Sequence, residues 1–578
     1  MNPFRALINT ARRRPLRVFY DEAYRLPISG AEVGAHALET RRADDAVHYL
    51  LRAHALSAAD VINPEAASYG DLARVHTAEY LESLQQDPAV IAKIFAVDPS
   101  DVYIDEVVRT LRLGVGGTID AARFAVKHQQ VAINTFGGFH HAAPSRGAGY
   151  CALNDVAVAI AVLRSEGFDG KVAVLDFDFH PPDGTAECLG GDSSVWLGSV
   201  SGADWGPLKG VDEQELPQGA GDSEYLTAVD RLLSRMPRVE LAFVLAGADV
   251  LTGDRLGQFN LSLPGTRQRE LLVARRLGRL PQVWLPAGGY SPHAWKVLAG
   301  VGLALAFDTE EAIPTDYDPL VSRLTGISRS LPSESLGDDD TITEADLGLG
   351  HHARHGPLRF LEFYTAEGLE YALERYRLLP MLRRLGFQHL KVELDRVSPW
   401  DRARLFGVDA LSGKRVVLIE LEVGKTTLGS SHVLFVNWLS LRNPRAHFST
   451  LRPQLPGQEV PGLGLAREMT QLLALMAKRL RLDGVAFRPS WFHMAWAARH
   501  EARFVDAKRQ GRFLALARDM SKVPLLIATR SLAEGRVTLN GEKYQWEADE
   551  MVRYADDRAP DDDAEVAAER DRCHFEIK

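Results

Sequence analysis

The sequence has few cysteines, no long apolar run and no excess of positive charge. Its 578 residues include only Cys151, Cys188 and Cys573, so we expect no disulfide framework and a reducing, cytoplasmic setting. No apolar stretch approaches the roughly 18 residues of a membrane-spanning helix, and we expect no membrane association. The net charge is −10 at pH 7, which makes nucleic acid an unlikely partner.

Near-continuous apolar runs alternate with helical patterns in the first half of the chain. Such runs are typical of strands buried on both faces, and the alternation predicts an α/β fold with a parallel sheet. Each run ends in, or is followed directly by, Gly, His, Asp or Tyr, and parallel sheets bind ligands at the carboxyl ends of their strands. The four clearest runs are QVAINTFGG (130–138), KVAVLDFDF (171–179), LAFVLAGAD (241–249) and QVWLPAGGY (282–290).

One of these strands carries an unusual set of polar residues. Asp176, Asp178 and His180 alternate with apolar residues, which would place them on one face of a strand. Burying two unpaired carboxylates is costly, and a nearby cation would remove that cost. Oxygen and nitrogen donors of this kind suit zinc. The alternative is that these residues cap or anchor a loop at the strand end.

Three other strand ends carry polar side chains. His140 and His141 follow Gly137 and Gly138, and this histidine pair suits proton transfer. Asp249 ends a third apolar run, and Tyr290 follows two glycines after a fourth.

Together these motifs resemble the zinc-dependent histone deacetylase and acetylpolyamine amidohydrolase family. The resemblance covers about residues 17–325 and implies a three-layer αβα arginase–deacetylase fold, with a deacetylase domain over 15–327. The stretches that carry it are GGFHHA, GYCALNDVAVAI, LDFDFHPPDGT, GADVLTGDRLGQFNLSL and GGY.

The resemblance also implies roles for individual residues. Asp178, His180 and Asp249 would bind zinc and leave one coordination position open. His140 would pair with Asp176 and His141 with Asp183, and Tyr290 would stabilise the oxyanion. A second, structural cation, potassium, would take oxygen ligands from Asp176, Asp178, His180, Ser199 and Val200.

Other positions separate this chain from its relatives. Leu251 follows Asp249 by two residues, where a two-manganese site resembling arginase needs a carboxylate. Pro181 and Pro182 replace the family's usual His-Gly, and we expect them to change the rim of the site more than its chemistry. The wall of a substrate tunnel is expected from Gly149, Tyr150 and Trp205.

The rest of the chain predicts a linker at 328–348, a smaller α+β domain at 349–550 and a solvated acidic tail at 555–572. The α+β domain loosely resembles GNAT-type acetyltransferases. This resemblance would place Gly462 and Gly464 in an acyl-CoA loop, and a plain structural turn is the alternative. The histidines of GLGHHARHG (348–356) are expected to lie in a flexible segment rather than a metal site.

These features predict a zinc amidohydrolase that removes acetyl or other acyl groups from amines. Acylated lysine in a protein or peptide and acylated polyamines or other small amines are the expected substrates. Two alternatives remain: a bifunctional protein that both transfers and removes acyl groups, and a non-catalytic protein that binds an acyl ligand.

Overall fold

A computed structural model describes residues 13–28, 38–202, 204–337, 358–450, 452–555 and 563–578. The chain divides into two units, Met1–Leu320 and Val321–Lys578. The GLGHHARHG stretch (348–356) lies outside the described residues. Within the described ranges, no helix is both long enough and apolar enough to span a membrane.

An eight-stranded sheet forms the centre of the first unit, with the order β2-β1-β3-β8-β7-β4-β5-β6. All neighbouring pairs are parallel, which confirms the predicted α/β fold. The strands are β1 (Arg17–Phe19), β2 (Val61–Ile62), β3 (Val131–Asn134), β4 (Val172–Asp176), β5 (Val195–Ser201), β6 (Val211–Glu215), β7 (Leu241–Leu245) and β8 (Gln282–Leu285).

Helices cover both faces of this sheet. Val172 and Val174 of β4 join one apolar core, while Ala173 and Leu175 join the other, because successive strand residues point to opposite faces. The helices of this unit are α1 (Arg42–Arg52), α2 (Tyr69–Leu72), α3 (Ala78–Gln86), α4 (Pro88–Phe95), α5 (Ile104–His128), α6 (Asp155–Ser165), α7 (Asp183–Leu189), α8 (Asp222–Arg235), α9 (Leu263–Leu277) and α10 (Ala294–Phe307).

Strand β4 ends earlier than predicted. Hydrogen bonding as a strand stops at Asp176, and the Asp178 amide then donates to Asp176 Oδ1 at 3.1 Å. The His180 amide donates in the same way to Asp178 Oδ1 at 3.0 Å. Side chain-to-backbone bonds therefore turn the chain here, and these residues do not share a strand face.

The second unit contains a mixed seven-stranded sheet with the order β14-β17-β13-β12-β11-β10-β9. β9 to β12 form an antiparallel meander, and β13 pairs parallel with β12. The predicted α+β domain is therefore present. The strands are β9 (Phe387–Val397), β10 (Trp400–Asp409), β11 (Arg415–Leu428), β12 (Ser431–Leu441), β13 (Gly484–Phe487), β14 (Arg503–Phe504) and β17 (Met551–Tyr554).

Further elements complete this unit. A small sheet has the order β16-β15-β18, formed by β15 (Val537–Leu539), β16 (Glu542–Tyr544) and β18 (Phe575–Ile577). The helices are α11 (Pro319–Ser330), which begins just before the boundary between the units, α12 (Ala366–Arg375), α13 (Leu378–Arg384), α14 (Ala466–Arg479), α15 (Phe492–Ala498), α16 (Ala507–Asp519), α17 (Leu525–Ala533) and α18 (Asp563–Arg572).

The linker prediction for 328–348 is wrong where the structure can be compared with it. Ser328 lies in α11, and Leu331 and Leu336 are buried in an apolar cluster with Phe360 and Tyr364. The serines and the glycine of this stretch are typical of a linker, and for this reason burial of the two leucines was not predicted. Residues 338–348 lie outside the described part of the chain.

The prediction of a solvated tail at 555–572 is also wrong for its second half. Residues 563–572 form α18, and Glu569 of this helix is 5% exposed and accepts a hydrogen bond from Arg512 at 2.7 Å. The acidic composition of this stretch did not indicate a packed helix, because the arginine that neutralises Glu569 lies in α16, more than 50 residues earlier. Residues 556–562 are outside the described ranges.

A buried arginine connects α9 to the sheet edge. The guanidinium of Arg269 donates to the carbonyl oxygens of Phe177 and Gly247 at 3.2 and 2.8 Å. It also forms an ion pair with Glu270 at 2.7 Å, and both side chains are at most 1% exposed.

We expect Arg269→Met to lower the free energy of unfolding by about 3–5 kcal/mol, because it leaves the Glu270 carboxylate buried without its partner. The matched control is Arg275→Met on the same helix, where an exposed ion pair with Asp308 is lost. That change should cost less than about 1 kcal/mol. Urea unfolding followed by tryptophan fluorescence measures both, and equal losses would contradict the role given to Arg269.

Candidate metal centre and catalytic pocket

Three side chains converge at the carboxyl ends of β4 and β7. One ligand atom from each of Asp178, His180 and Asp249 lies within 4.8 Å of the other two. His180 Nδ1 is 3.2 Å from Asp178 Oδ1 and 3.0 Å from Asp249 Oδ2. Two carboxylates and an imidazole form a donor set that fits zinc and leaves a coordination position open.

Backbone groups fix the two carboxylates of this centre. The Gly288 amide donates to Asp178 Oδ2 at 2.7 Å, and the Phe179 amide donates to Asp249 Oδ1 at 3.0 Å. A Cβ atom at Gly247 or Gly288 would lie 2.8 or 2.5 Å from Asp178 Oδ2. Both glycines are therefore required for the backbone to approach the carboxylate.

The charges of the protein alone favour a cation at this centre. Burial and the nearby charge of Asp178 raise the pKa of Asp249 to about 8. Burial disfavours a charged His180 ring, but its hydrogen bonds to Asp178 and Asp249 outweigh this effect and raise its pKa to about 10. A metal ion among these donors would supply positive charge that balances the two carboxylates.

Each histidine of the pair contacts a different carboxylate. His140 Nδ1 is 2.9 Å from Asp176 Oδ2, and His141 Nδ1 is 2.6 Å from Asp183 Oδ1. The two rings lie 4.0 Å apart between centroids. The structure thus brings together the pairs that the resemblance implied.

The two histidines differ in charge. Burial opposes protonation of His140, but Asp176 and Asp178 outweigh it and raise the His140 pKa to about 9. Burial and the charge on His140 lower the pKa of His141, although Asp183 partly opposes them. One ring of the pair is therefore charged at neutral pH and the other is neutral.

A second group of oxygens lies behind the metal centre. Ser199 of β5 is the register partner of Asp176 in β4. Its side chain is fully buried, and its hydroxyl has no hydrogen-bond partner among the described residues. The next residue, Val200, is also fully buried. An orphaned buried hydroxyl beside a carboxylate fits the predicted structural cation.

Tyr290 follows β8 and lies beside the metal centre. It is 8% exposed, and its ring centroid lies 5.3 Å from that of Tyr150. Burial and the charges of Asp178 and Asp249 raise its pKa well above the ordinary value. Its hydroxyl is therefore protonated at neutral pH and can donate a hydrogen bond.

Two of the predicted tunnel residues lie against His141. Gly149 has a φ of +52°, and a Cβ there would lie 2.4 Å from His141 Cδ2. Trp205 is 51% exposed, and its ring lies 5.4 Å from that of His141. The third, Tyr150, lies against Tyr290 instead.

The two prolines lie deeper than expected. Pro181 and Pro182 are buried, and the chain enters α7 directly after them. The first residue of α7 is Asp183, the partner of His141. The prolines therefore border the group that holds the histidine, whereas the sequence had placed them at the rim.

The residues that hold the histidine loop were not predicted from the sequence. The buried Asp155 carboxylate accepts hydrogen bonds from the amides of Gly138 and Phe139 at 2.9 and 2.8 Å. The Asn154 side chain caps α6 and donates to the Ala142 carbonyl at 2.9 Å. The Asn-Asp pair before an apolar helical run was a visible capping signal, but its contact with the loop was not.

Two further supporting residues were also missed. Arg42 donates to the carbonyl oxygens of Ala287 and Gly288 at 2.7 and 2.8 Å. Asp254 accepts from the amide of Tyr290 at 2.8 Å. Both side chains fix the glycine-containing turn after β8. Neither lies in a sequence pattern that indicates which group it contacts.

The predicted acyl-CoA loop belongs to the second unit. Gly462 and Gly464 precede α14, and the Asn443 amide donates to the Pro461 carbonyl at 2.8 Å. This bond ties the loop to the end of β12. Coenzyme A binding and the GNAT resemblance stay predictions.

Comparison with known proteins gives the family. Residues 36–303 match the family model described as the histone deacetylase domain. The chain is similar to histone deacetylase 2 of Arabidopsis thaliana, with 32% identity over 300 residues, 49% of this chain and 76% of the relative. It is also similar to an uncharacterized protein of Picosynechococcus, with 34% identity over 32% of this chain and 65% of the relative.

Among solved structures, a histone deacetylase homologue from Aquifex aeolicus is 23% identical, with a TM-score of 0.43 over 50% of this chain and 84% of that chain. The extent of the match to the Arabidopsis relative shows that the chain belongs to the histone deacetylase family. The matched residues end within the first unit.

We expect the zinc-loaded protein to retain one equivalent of zinc after gel filtration, and Asp249→Asn to lose it. Loss of a ligand should weaken binding by more than the about 10–100-fold that an outer partner contributes. Asp183→Asn, which leaves the three donors intact, is the matched control. Elemental analysis and a zinc-dependent rise in melting temperature measure the result.

The metal-free Asp249→Asn protein should be no less stable than the metal-free parent, because the substitution removes a buried carboxyl group whose pKa folding raises to about 8 at a cost in stability. Equal zinc content in Asp249→Asn and the parent would place the metal elsewhere.

Proposed function

We propose that the first unit is a zinc-dependent amidohydrolase that removes acetyl or other acyl groups from amines. Acylated lysine in a protein or peptide is the favoured substrate, and acylated polyamines are the second candidate. The observation that carries this proposal is the grouping of a three-donor metal centre with two carboxylate-paired histidines and a buried tyrosine.

Zinc held by Asp178, His180 and Asp249 would polarise the substrate carbonyl and lower the pKa of the attacking water. The remaining chemistry belongs to side chains of this chain. His141 is the neutral ring of the pair, and its Nε2 is free to accept a proton because Nδ1 faces Asp183. We assign His141 as the general base.

His140 would hold a proton in the same pocket. Its contact with Asp176 orients the ring and favours its charged form. The charge on His140 lowers the basicity of His141, and the carboxylate of Asp183 partly offsets this effect. When the amide breaks, a protonated histidine of this pair donates to the leaving amine.

Tyr290 would stabilise the developing oxyanion. Its hydroxyl has no other hydrogen-bond partner among the described residues, and the turn after β8 is held by Arg42 and Asp254. A donor that is fixed before the reaction needs little reorganisation, which is the condition for strong transition-state stabilisation.

The pocket walls support a slender amine substrate. The Trp205 ring lies against His141 and the Tyr150 ring lies against Tyr290, and an alkyl chain of the lysine or polyamine kind would pack against such aromatic surfaces. The acidic net charge is compatible with a basic partner. A cytoplasmic location and a potassium ion near Ser199 belong to the same proposal.

Activity on a panel of acetylated and longer acylated lysine peptides and polyamines tests the function. Release of acyl groups by the zinc-loaded protein, lost on chelation, supports the proposal. Binding of acylated amines without turnover would favour the non-catalytic alternative, and acyl transfer from coenzyme A would favour the bifunctional one.

Tyr290→Phe should lower kcat by about 10²–10³-fold, because one oxyanion donor is lost. Zinc content and KM should change little. The matched control is Tyr150→Phe, which keeps the neighbouring ring and removes a hydroxyl that has no assigned role in the reaction. A Tyr290→Phe enzyme with parental kcat would remove the tyrosine from the mechanism.

Asp183→Asn should move the acid limb of the kcat/KM profile to lower pH. The carboxylate of Asp183 raises the pKa of His141, so its loss lowers that pKa and keeps the base neutral in more acidic solution. Glu187→Gln, on the same helix but exposed and paired with Arg146, should leave the limb in place. If the substitution moved the alkaline limb instead, we would conclude that His141 acts as the general acid and not as the general base.

A further inference from the structure

The second unit contains an apolar cavity between its sheet and two helices. The cavity has a volume of about 100 Å³. Its floor is formed by side chains of β9, β10 and β11, among them Val392, Leu405 and Leu421, and its roof by α12 and α14, including Ala372 and Leu473. Protein cores are normally filled to crystal-like density, so a space of this size in a core is a candidate ligand site.

The space is large enough for a small organic molecule. One water-sized probe needs about 10–15 Å³ on this measure, so the cavity holds several such spheres in a row. Its lining is mainly leucine, methionine, valine, isoleucine and alanine. An apolar chain is the ligand that gains most from transfer out of water into such a lining.

Polar groups are gathered at one place in the lining. Tyr364 is 4% exposed and lines the cavity, and the charge of Arg479 acts on its hydroxyl. Tyr376, which also lines the cavity, hydrogen-bonds Ser328. The Tyr364 hydroxyl can therefore donate to an acceptor atom of a ligand in the cavity.

The charge beside these tyrosines is positive. Arg479 lines the cavity and donates to the carbonyl oxygens of Ser328 and Leu331 at 2.7 and 3.3 Å. It has no carboxylate partner among the described residues, and no acidic side chain of that part of the chain lines the cavity. The other lining cation, Arg404, lies 3.8 Å from Asp395.

We propose that this cavity binds an unbranched alkyl carboxylate, a fatty acid of medium length. The alkyl chain would occupy the apolar space between the sheet and the two helices. The carboxylate would accept a hydrogen bond from the Tyr364 hydroxyl and lie next to the Arg479 guanidinium. The site belongs to the second unit and does not depend on the function proposed for the first.

Isothermal titration calorimetry of the full chain with octanoate, 1-octanol and octylammonium tests the ligand class. Octanoate should bind most tightly, octanol more weakly and octylammonium at least tenfold more weakly than octanoate, since the only charges in the lining are positive. Binding of octylammonium as tight as that of octanoate, or no binding of octanoate, would overturn the proposal.

Variants that fill the cavity test whether the ligand binds there. Ala372→Leu fills the space from α12, and Ala403→Val fills it from β10; each should weaken octanoate binding at least tenfold. Two variants on opposite walls guard against one that fails to fold, and an unchanged melting temperature and circular dichroism spectrum identify the folded ones. Octanoate binding that survives in both folded variants places the acid elsewhere in the chain and overturns the proposal.

Tyr364→Phe tests the head group without changing the shape of the cavity. It should weaken octanoate binding about fivefold to tenfold, the effect of one hydrogen bond. Tyr371→Phe is the matched control, because Tyr371 lies on α12 but is 38% exposed and does not line the cavity. Equal affinities of the two variants would remove Tyr364 from the site.

Discussion

Buried carboxylates at one edge of a parallel sheet are the constraint on which the first unit depends. Asp176, Asp178 and Asp249 are each at most 1% exposed. Carboxylates in such a place are tolerated only when amides, imidazoles or cations surround them. The glycine turns after β7 and β8 meet this need by bringing backbone groups close to Asp178. The need for positive charge explains why the same edge can act on a carbonyl group.

The carboxylate–histidine pairs follow from the same constraint. A histidine between a carboxylate and a metal centre has its ring orientation and its proton fixed. Here two adjacent histidines receive different partners, and their pKa values are displaced in opposite directions. Neighbouring groups with opposite tendencies are what a reaction that both takes and returns a proton requires.

The sequence predicted the sheet well, and it also indicated residues that the structure brings together at the sheet edge, because buried parallel strands and polar strand ends leave strong local patterns. The reason given for Asp176, Asp178 and His180 was less accurate, since the strand ends at Asp176 and side chain-to-backbone bonds arrange the rest. Asp155 and Arg42 could not be found in this way. Their roles depend on contacts with distant loops that no local pattern records.

In the second unit, two predictions made from composition were wrong. Glu569 lies in a stretch that reads as solvated, yet its partner Arg512 neutralises it within the fold. Leu331 and Leu336 lie among linker-like residues and are core residues. The cavity had no sequence signal, because it consists of volume that apolar side chains leave unfilled. The presence of such a cavity depends on how closely the helices pack against the sheet, and residue type alone does not determine this.

The strand order of the first unit has a consequence for how the protein matures during synthesis. β3 and β4 are consecutive along the chain, but β8 and β7 lie between them in the sheet. A nascent chain that has emerged only as far as His180, just after β4, therefore carries both histidines and two of the three grouped donors without their final spacing. The last strands must insert between the first ones, so the donors reach their final positions only after β8 and Gly288 have emerged from the ribosome.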